Sequence, residues 1–127
     1  MSRPILIEIG AGELIDRITI LRIKSQRIKD ESKLEYINRE LKDLDHCRCQ
    51  SLKPSDTLAK LEFELLDVNL ILWRIEEKLR IHEDQKSFGD NFIELARYVY
   101  TYNDRRSKIK QEINQLVNSR VVEQKSY

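Results

Sequence analysis

The residues best suited to chemistry in this sequence lie on two tracks with a common spacing. Glu62, Leu66, Asn69, Trp73, Glu76, Arg80 and Glu83 step by three and four residues, as do Ala96, Tyr100, Asn103, Ser107, Lys110, Asn114 and Val117. That step keeps side chains on one stripe of an α-helix. Amides, carboxylates, a guanidinium, an ammonium and an indole on facing stripes can hold a polar or anionic ligand through hydrogen bonds and charge. With two histidines and no Ser–His–Asp or Cys–His arrangement, covalent catalysis has little material.

Other constellations are weaker. His46-Cys47-x-Cys49 falls short of the four ligands zinc takes, the one other histidine is His82, and cysteines two apart on a helix point away from each other. Neither a metal site nor a cofactor motif is assigned. Gly10-Ala11-Gly12 precedes a helix start, where free N–H groups can hold an anion, but it lacks the remaining glycines and the βαβ setting of a nucleotide fold. It reads as a plain turn. Glu13/Asp16, Glu40/Asp43 and Glu64/Asp67 each place two carboxylates one helical turn apart, a pairing that divalent metals use. No Glu-x-x-Glu partner on a preceding helix accompanies them, so they read as surface charge.

The elements that must position the two tracks follow from the apolar spacing. Leu58, Leu61, Leu65, Val68, Leu72, Ile75 and Leu79 form an unbroken seam beside the first track. Phe92, Leu95, Val99, Tyr102, Arg106, Ile109, Ile113 and Leu116 do the same beside the second. A strict seven-residue repeat predicts a left-handed, coiled-coil-like contact. Only the region Lys86 to Gly89 separates the runs, so they should fold back as an antiparallel hairpin. That geometry puts both tracks on one face, with Asn69 level with Asn103 and Glu62 level with Lys110. Two shorter helices precede the hairpin. One follows Gly12 on Leu14, Ile18, Leu21 and Ile28; the other uses Leu34, Ile37, Leu41 and Leu44, with Ser32 and Glu35 as a capping box. Ser55 or Asp56 should cap the third helix. Ile5, Ile7 and Ile9 alternate as a short strand, with Arg120-Val121-Val122-Glu123 as its candidate partner within one chain or across a dimer.

The first helix projects apolar residues in several directions, so it should be surrounded. Glu13, Asp16 and Lys24 share a side with Ile20 and Ile23, and charges there need partners. Arg80, Lys110 and Arg97 are the candidates for Glu13 or Asp16. Arg106 is a guanidinium within the apolar seam, expected to snorkel to its edge; a buried ion pair or anion contact is the alternative.

Composition narrows the class. Only three Gly and two Pro occur in 127 residues, where average usage would give roughly 15. That is too few for the turns of a β-sandwich or barrel. Charged residues reach 35% but balance, 23 basic against 22 acidic, for a net charge of +1. Such balance argues against nucleic acid. No stretch approaches the ~20 apolar residues of a membrane span, no signal-peptide pattern opens the chain, and two cysteines fit a reducing cytoplasm.

Several motifs together resemble a bacterial domain-of-unknown-function family, number 6165. They are Gly12-Glu13-Leu14-Ile15-Asp16-Arg17-Ile18-Thr19-Ile20-Leu21 with Ile23-Lys24; Asn69 with Leu72-Trp73-x-Ile75-Glu76; Phe92, Leu95-Ala96-Arg97-x-x-Tyr100 and Asn103-Asp104-x-Arg106; and Ile109-Lys110, Ile113-Asn114, Ser119 and Glu123-x-Lys125-Ser126-Tyr127. Arg17 replaces the usual Lys, and Arg22 stands where an acidic residue is common. The resemblance implies no established activity. It does single out Glu13, Asp16, Lys24, Asn69, Glu76, Arg97, Asn103, Asp104, Arg106, Lys110 and Asn114, several of which the helical spacing had already gathered. It also implies that the terminal Lys125-Ser126-Tyr127 docks onto the bundle.

The expectation is therefore a single all-α domain over residues 1–127, an antiparallel bundle of about four helices with a long C-terminal helical hairpin. Its short helices leave the hairpin tip near Leu79 and Phe92 in need of cover, for which a second copy is the natural source. The leading functional reading is a cytoplasmic, homodimeric binding or adaptor module whose polar groove takes a small anionic ligand. The alternatives are a small enzyme using the same groove electrostatically, loosely analogous to the all-helical chorismate mutases, and a structural oligomer whose groove is closed by paired side chains.

Overall fold

A computed structural model describes residues 3–119. It contains four α-helices, α1 (Ala11–Arg27), α2 (Glu31–Ser51), α3 (Asp56–Asp84) and α4 (Asp90–Val117). Each boundary has a local cause. Asp30 caps α2, its carboxylate accepting from the Ser32 and Lys33 N–H groups. Asp30 therefore takes the role expected of Ser32, because its shorter reach to two free N–H groups suits the N-cap position. Those bonds, led by the Ser32 hydroxyl, hold the Asp30 carboxyl below its ordinary value. Ser55 caps α3 by accepting from Leu58 N–H. Asn118, with φ of 60°, closes α4 in the left-handed conformation that favours Asn and Gly.

α3 and α4 form the expected antiparallel hairpin, and α1 packs against both, running antiparallel to α4. Its 17 residues include nine that are buried, Ile15 and Ile18 completely. Leu65 and Ile113 from the two hairpin helices meet Ile15 in the centre of the core. α2 is different. Its backbone packs beside α1, it reaches α3 through the Arg48 side chain, and it has no buried residue, so the core belongs to three helices with the fourth lying outside them.

The length mismatch has the consequence expected of it. α3 spans 29 residues, ~44 Å at 1.5 Å per residue, and outruns α1. The α3 seam is buried from Leu58 to Ile75 and half-buried at Leu79. At the tip, Phe92 packs edge-on against Phe88 and His82, and His82 Nδ1 donates to the Ser87 carbonyl at 3.0 Å. Ile81, Phe88 and Ile93 remain exposed.

The N-terminal strand is a correction. No strand exists among the described residues, and Ile5, Leu6 and Ile7 stand in solvent at 92%, 87% and 70% exposure. A lone extended segment gains nothing over water for its N–H and C=O groups without a second strand beside it. Its proposed partner, Arg120-Val121-Val122-Glu123, and the docking of Lys125-Ser126-Tyr127 lie outside the described residues.

Candidate functional site

The polar residues between α1, α3 and α4 form a series of layers. At one end, α1 begins with Gly10, which offers no side-chain cap. α4 and the residue after its cap supply the acceptors instead: Ala11 N–H donates to Ser119 Oγ at 3.0 Å and Gly12 N–H to Asn114 Oδ1 at 2.8 Å. The Ala11 and Gly12 N–H groups, which could have held an anion, are thus spent on the protein itself. Gly12 is required by the same approach. A Cβ there would lie 2.9 Å from the Lys110 carbonyl carbon and closer still to its oxygen.

One turn along, Lys110 Nζ donates to Glu13 Oε2 at 2.8 Å, and Arg17 Nε reaches Glu13 Oε1 at 3.0 Å. Burial pushes the Glu13 carboxyl up, but the hydrogen bonds from Lys110 and Arg17 and their charges outweigh it and leave it below the ordinary value.

The next layer is the most enclosed. Asp16, 1% exposed, accepts from Arg106 Nε at 2.9 Å, from the Arg106 terminal nitrogen at 2.5 Å and from Asn69 Nδ2 at 2.9 Å. Asn69 Nδ2 also donates to Thr19 Oγ1 at 2.8 Å, and that hydroxyl donates to the Asp16 backbone carbonyl. Arg106 therefore does not simply snorkel. Its apolar neighbours leave Asp16 without water, and a two-point guanidinium–carboxylate contact is what makes that burial tolerable.

Beyond Arg106 the groove opens into a cavity of about 320 Å³, lined by Ile20, Ile23, Lys24, Asn69, Leu72, Trp73, Glu76, Arg80, Asn103 and Arg106. Asn69 and Asn103 share it. Lys24, Glu76 and Arg80 form no ion pair among the described residues. The Trp73 indole Nε1 is buried and has no hydrogen-bond acceptor there.

Not every expected site residue arrives. Arg97 lies on the outer side of α4 with Asp90, Ile93 and Glu94, Tyr100 is 73% exposed, and Asp104 is exposed. The α1-facing line of α4 runs Asn114, Lys110, Arg106, Asn103, three residues of the expected track and, in Arg106, one of the expected seam. A helix of 3.6 residues per turn drifts ~20° per heptad against a strict repeat of 3.5, so Tyr100 is carried off the face. Glu62 does not meet Lys110 either. It accepts from Arg22 at 3.1 Å and from Arg48, while Arg22 also lies 3.5 Å from Asp45. This cluster ties α2 to α1 and α3. Thr19, Arg22 and Arg48 were not among the expected site residues; the signals for Thr19 are its place one turn after Asp16 and within the first motif.

A larger cavity of about 500 Å³ lies at the other end, lined by Ser51 to Ser55, Leu116 and Val117. It contains none of the expected residues and a single charged one, Lys53. Among the described residues no three His, Cys, Asp or Glu side chains gather as metal ligands, and Cys47 and Cys49 are exposed free thiols. No described helix is long and apolar enough to cross a membrane.

No curated protein and no solved structure matches the chain. A family model described as a family of unknown function (DUF6165) matches residues 5–127. The motifs that surround the groove and close α1 onto α4 fall within that span, and the chain belongs to this family.

Proposed function

We propose that this chain is a single-domain cytoplasmic binding module whose cavity between α1, α3 and α4 takes a small anionic ligand. Its groove divides into two parts. From Asn114 to Asp16 the polar groups are spent on one another, as in a structural interface. Past Arg106 they converge on open space. The observation that carries the reading is that Lys24 and Arg80, from different helices, border one cavity with no carboxylate among the described residues bonded to either, beside an indole N–H that lacks an acceptor among them. A cavity of about 320 Å³ falls at the lower end of the ~300–1,000 Å³ of small-molecule sites.

Trp73 is the only tryptophan, so its fluorescence reports on this cavity alone. Titration with acetate, pyruvate, succinate and inorganic phosphate should give a saturable change for at least one. The change should disappear in a Lys24→Ala/Arg80→Ala double variant of unchanged circular dichroism. No response to any of these four, nor to the three acids named below, overturns the reading.

A second reading concerns assembly. Ile81, Phe88 and Ile93 at the hairpin tip are exposed, as are Ile5, Leu6 and Ile7 ahead of α1, and uncovered apolar side chains favour a homodimer. Sedimentation should then give twice the 15.2 kDa chain mass; a monomer at high concentration removes it.

A further inference from the structure

Resting on that reading of the cavity, we infer that its ligand is a monocarboxylate that carries a hydrogen-bond donor of its own, hydroxyl or ammonium, beside the carboxylate on an apolar skeleton. The charge arrangement selects this class. Asp16 takes up the Arg106 charge through its two-point contact. Among the described residues, two cations, Lys24 and Arg80, and one anion, Glu76, are left at the cavity.

Glu76 and Arg80 stand four residues apart on α3, the spacing at which Glu13–Arg17 and Glu35–Arg39 pair in this same protein. They do not pair. Each is therefore available to a different part of one ligand. A phosphate ester or polycarboxylate would bring like charge onto Glu76, and an uncharged ligand would desolvate Lys24 and Arg80 without compensation. A carboxylate on Lys24 and Arg80 with its donor on Glu76 satisfies all three. The remaining wall, Ile20, Ile23 and Leu72, is aliphatic and suits a hydrocarbon body.

Three acids with one skeleton separate the terms: L-leucine, L-2-hydroxy-4-methylpentanoate and 4-methylpentanoate, each titrated against Trp73 fluorescence and by calorimetry. Leucine or the hydroxy acid should bind at least tenfold tighter than 4-methylpentanoate, and whichever is tighter identifies the donor. Glu76→Gln, with circular dichroism unchanged, should shrink that gap below threefold without weakening 4-methylpentanoate. Equal binding of the three acids, or a gap that survives Glu76→Gln, overturns the inference and leaves the anion-binding reading standing. Silence from these three while acetate, pyruvate, succinate or phosphate binds also overturns it. Silence from all seven probes removes both.

Discussion

Asp16 and Arg106 lie 90 residues apart and meet in a two-point ion pair that joins α1 to α4. The two partners are unequal. The Asp16 side chain is 2% exposed and that of Arg106 is 31% exposed. Asp16 depends on its partner, whereas Arg106 retains partial access to water.

Arg106→Ala strands a buried carboxylate and should lower stability by about 3–5 kcal/mol. Arg106→Lys should recover little of it, because an ammonium cannot reproduce the planar two-point contact. Urea denaturation of the two variants measures both. A loss below about 1 kcal/mol for the alanine variant would show that the pair adds nothing to the fold.

Gly12→Ala forces a methyl group into the Lys110 backbone, which cannot swing aside as a side chain would. α1 must lift from α4, straining the Asn114 and Ser119 bonds as well, for a loss of about 1–3 kcal/mol. Gly89→Ala is the control. Its Cβ meets nothing within 4 Å and its φ is −79°, so the change should stay under about 1 kcal/mol. Equal melting temperatures for the two variants would contradict the close approach.

The Glu13 carboxyl titrates below its ordinary value of 4.5. The unfolded chain therefore takes up this proton first as pH falls. The stability it contributes is complete above pH 4.5 and is lost as pH drops through the lower folded value. Glu13→Gln should be less stable than the parent near neutrality, and the difference should narrow in acid below that point. A difference that stays constant with pH would refute the assignment to Glu13.

α2 has no buried residue, and Glu62 on α3 bonds to both Arg22 and Arg48. Glu62→Gln should therefore loosen α2 before the core. Hydrogen exchange should speed up across residues 31–51 by tenfold or more while the central amides of α3 near Leu65 stay protected. Uniform acceleration throughout the chain would mean that α2 is an integral part of one cooperative unit.

Much of this fold was legible because its signals are local. The seam from Leu58 to Ile75 is buried in the order its spacing predicts, and Ser55 caps the helix it was expected to cap. The α2 cap shifted to Asp30 because two good capping residues stand two positions apart and only backbone geometry chooses between them. The candidate site was legible as a set of residues but not as a set of contacts. Lys24, Asn69, Trp73, Glu76, Arg80, Asn103 and Arg106 do share a cavity. Tyr100 does not, because slow drift of a straight helix against a seven-residue repeat turns it outward; Arg97 and Asp104 stand one position beyond the track, on the side away from the seam, and are exposed.

By itself the sequence determined that the chain is helical, that it divides into four helices, and that polar groups line one side of the long pair. These follow from hydrogen bonds and side-chain spacing within a few turns of one helix. Only the tertiary structure decided that Asp16 takes Arg106, Glu13 takes Lys110 and Glu62 takes Arg22 and Arg48. Those choices depend on how far α1 slides and rotates against the hairpin. The closeness of Gly12 to the Lys110 backbone sets that register, and no spacing within either helix encodes it.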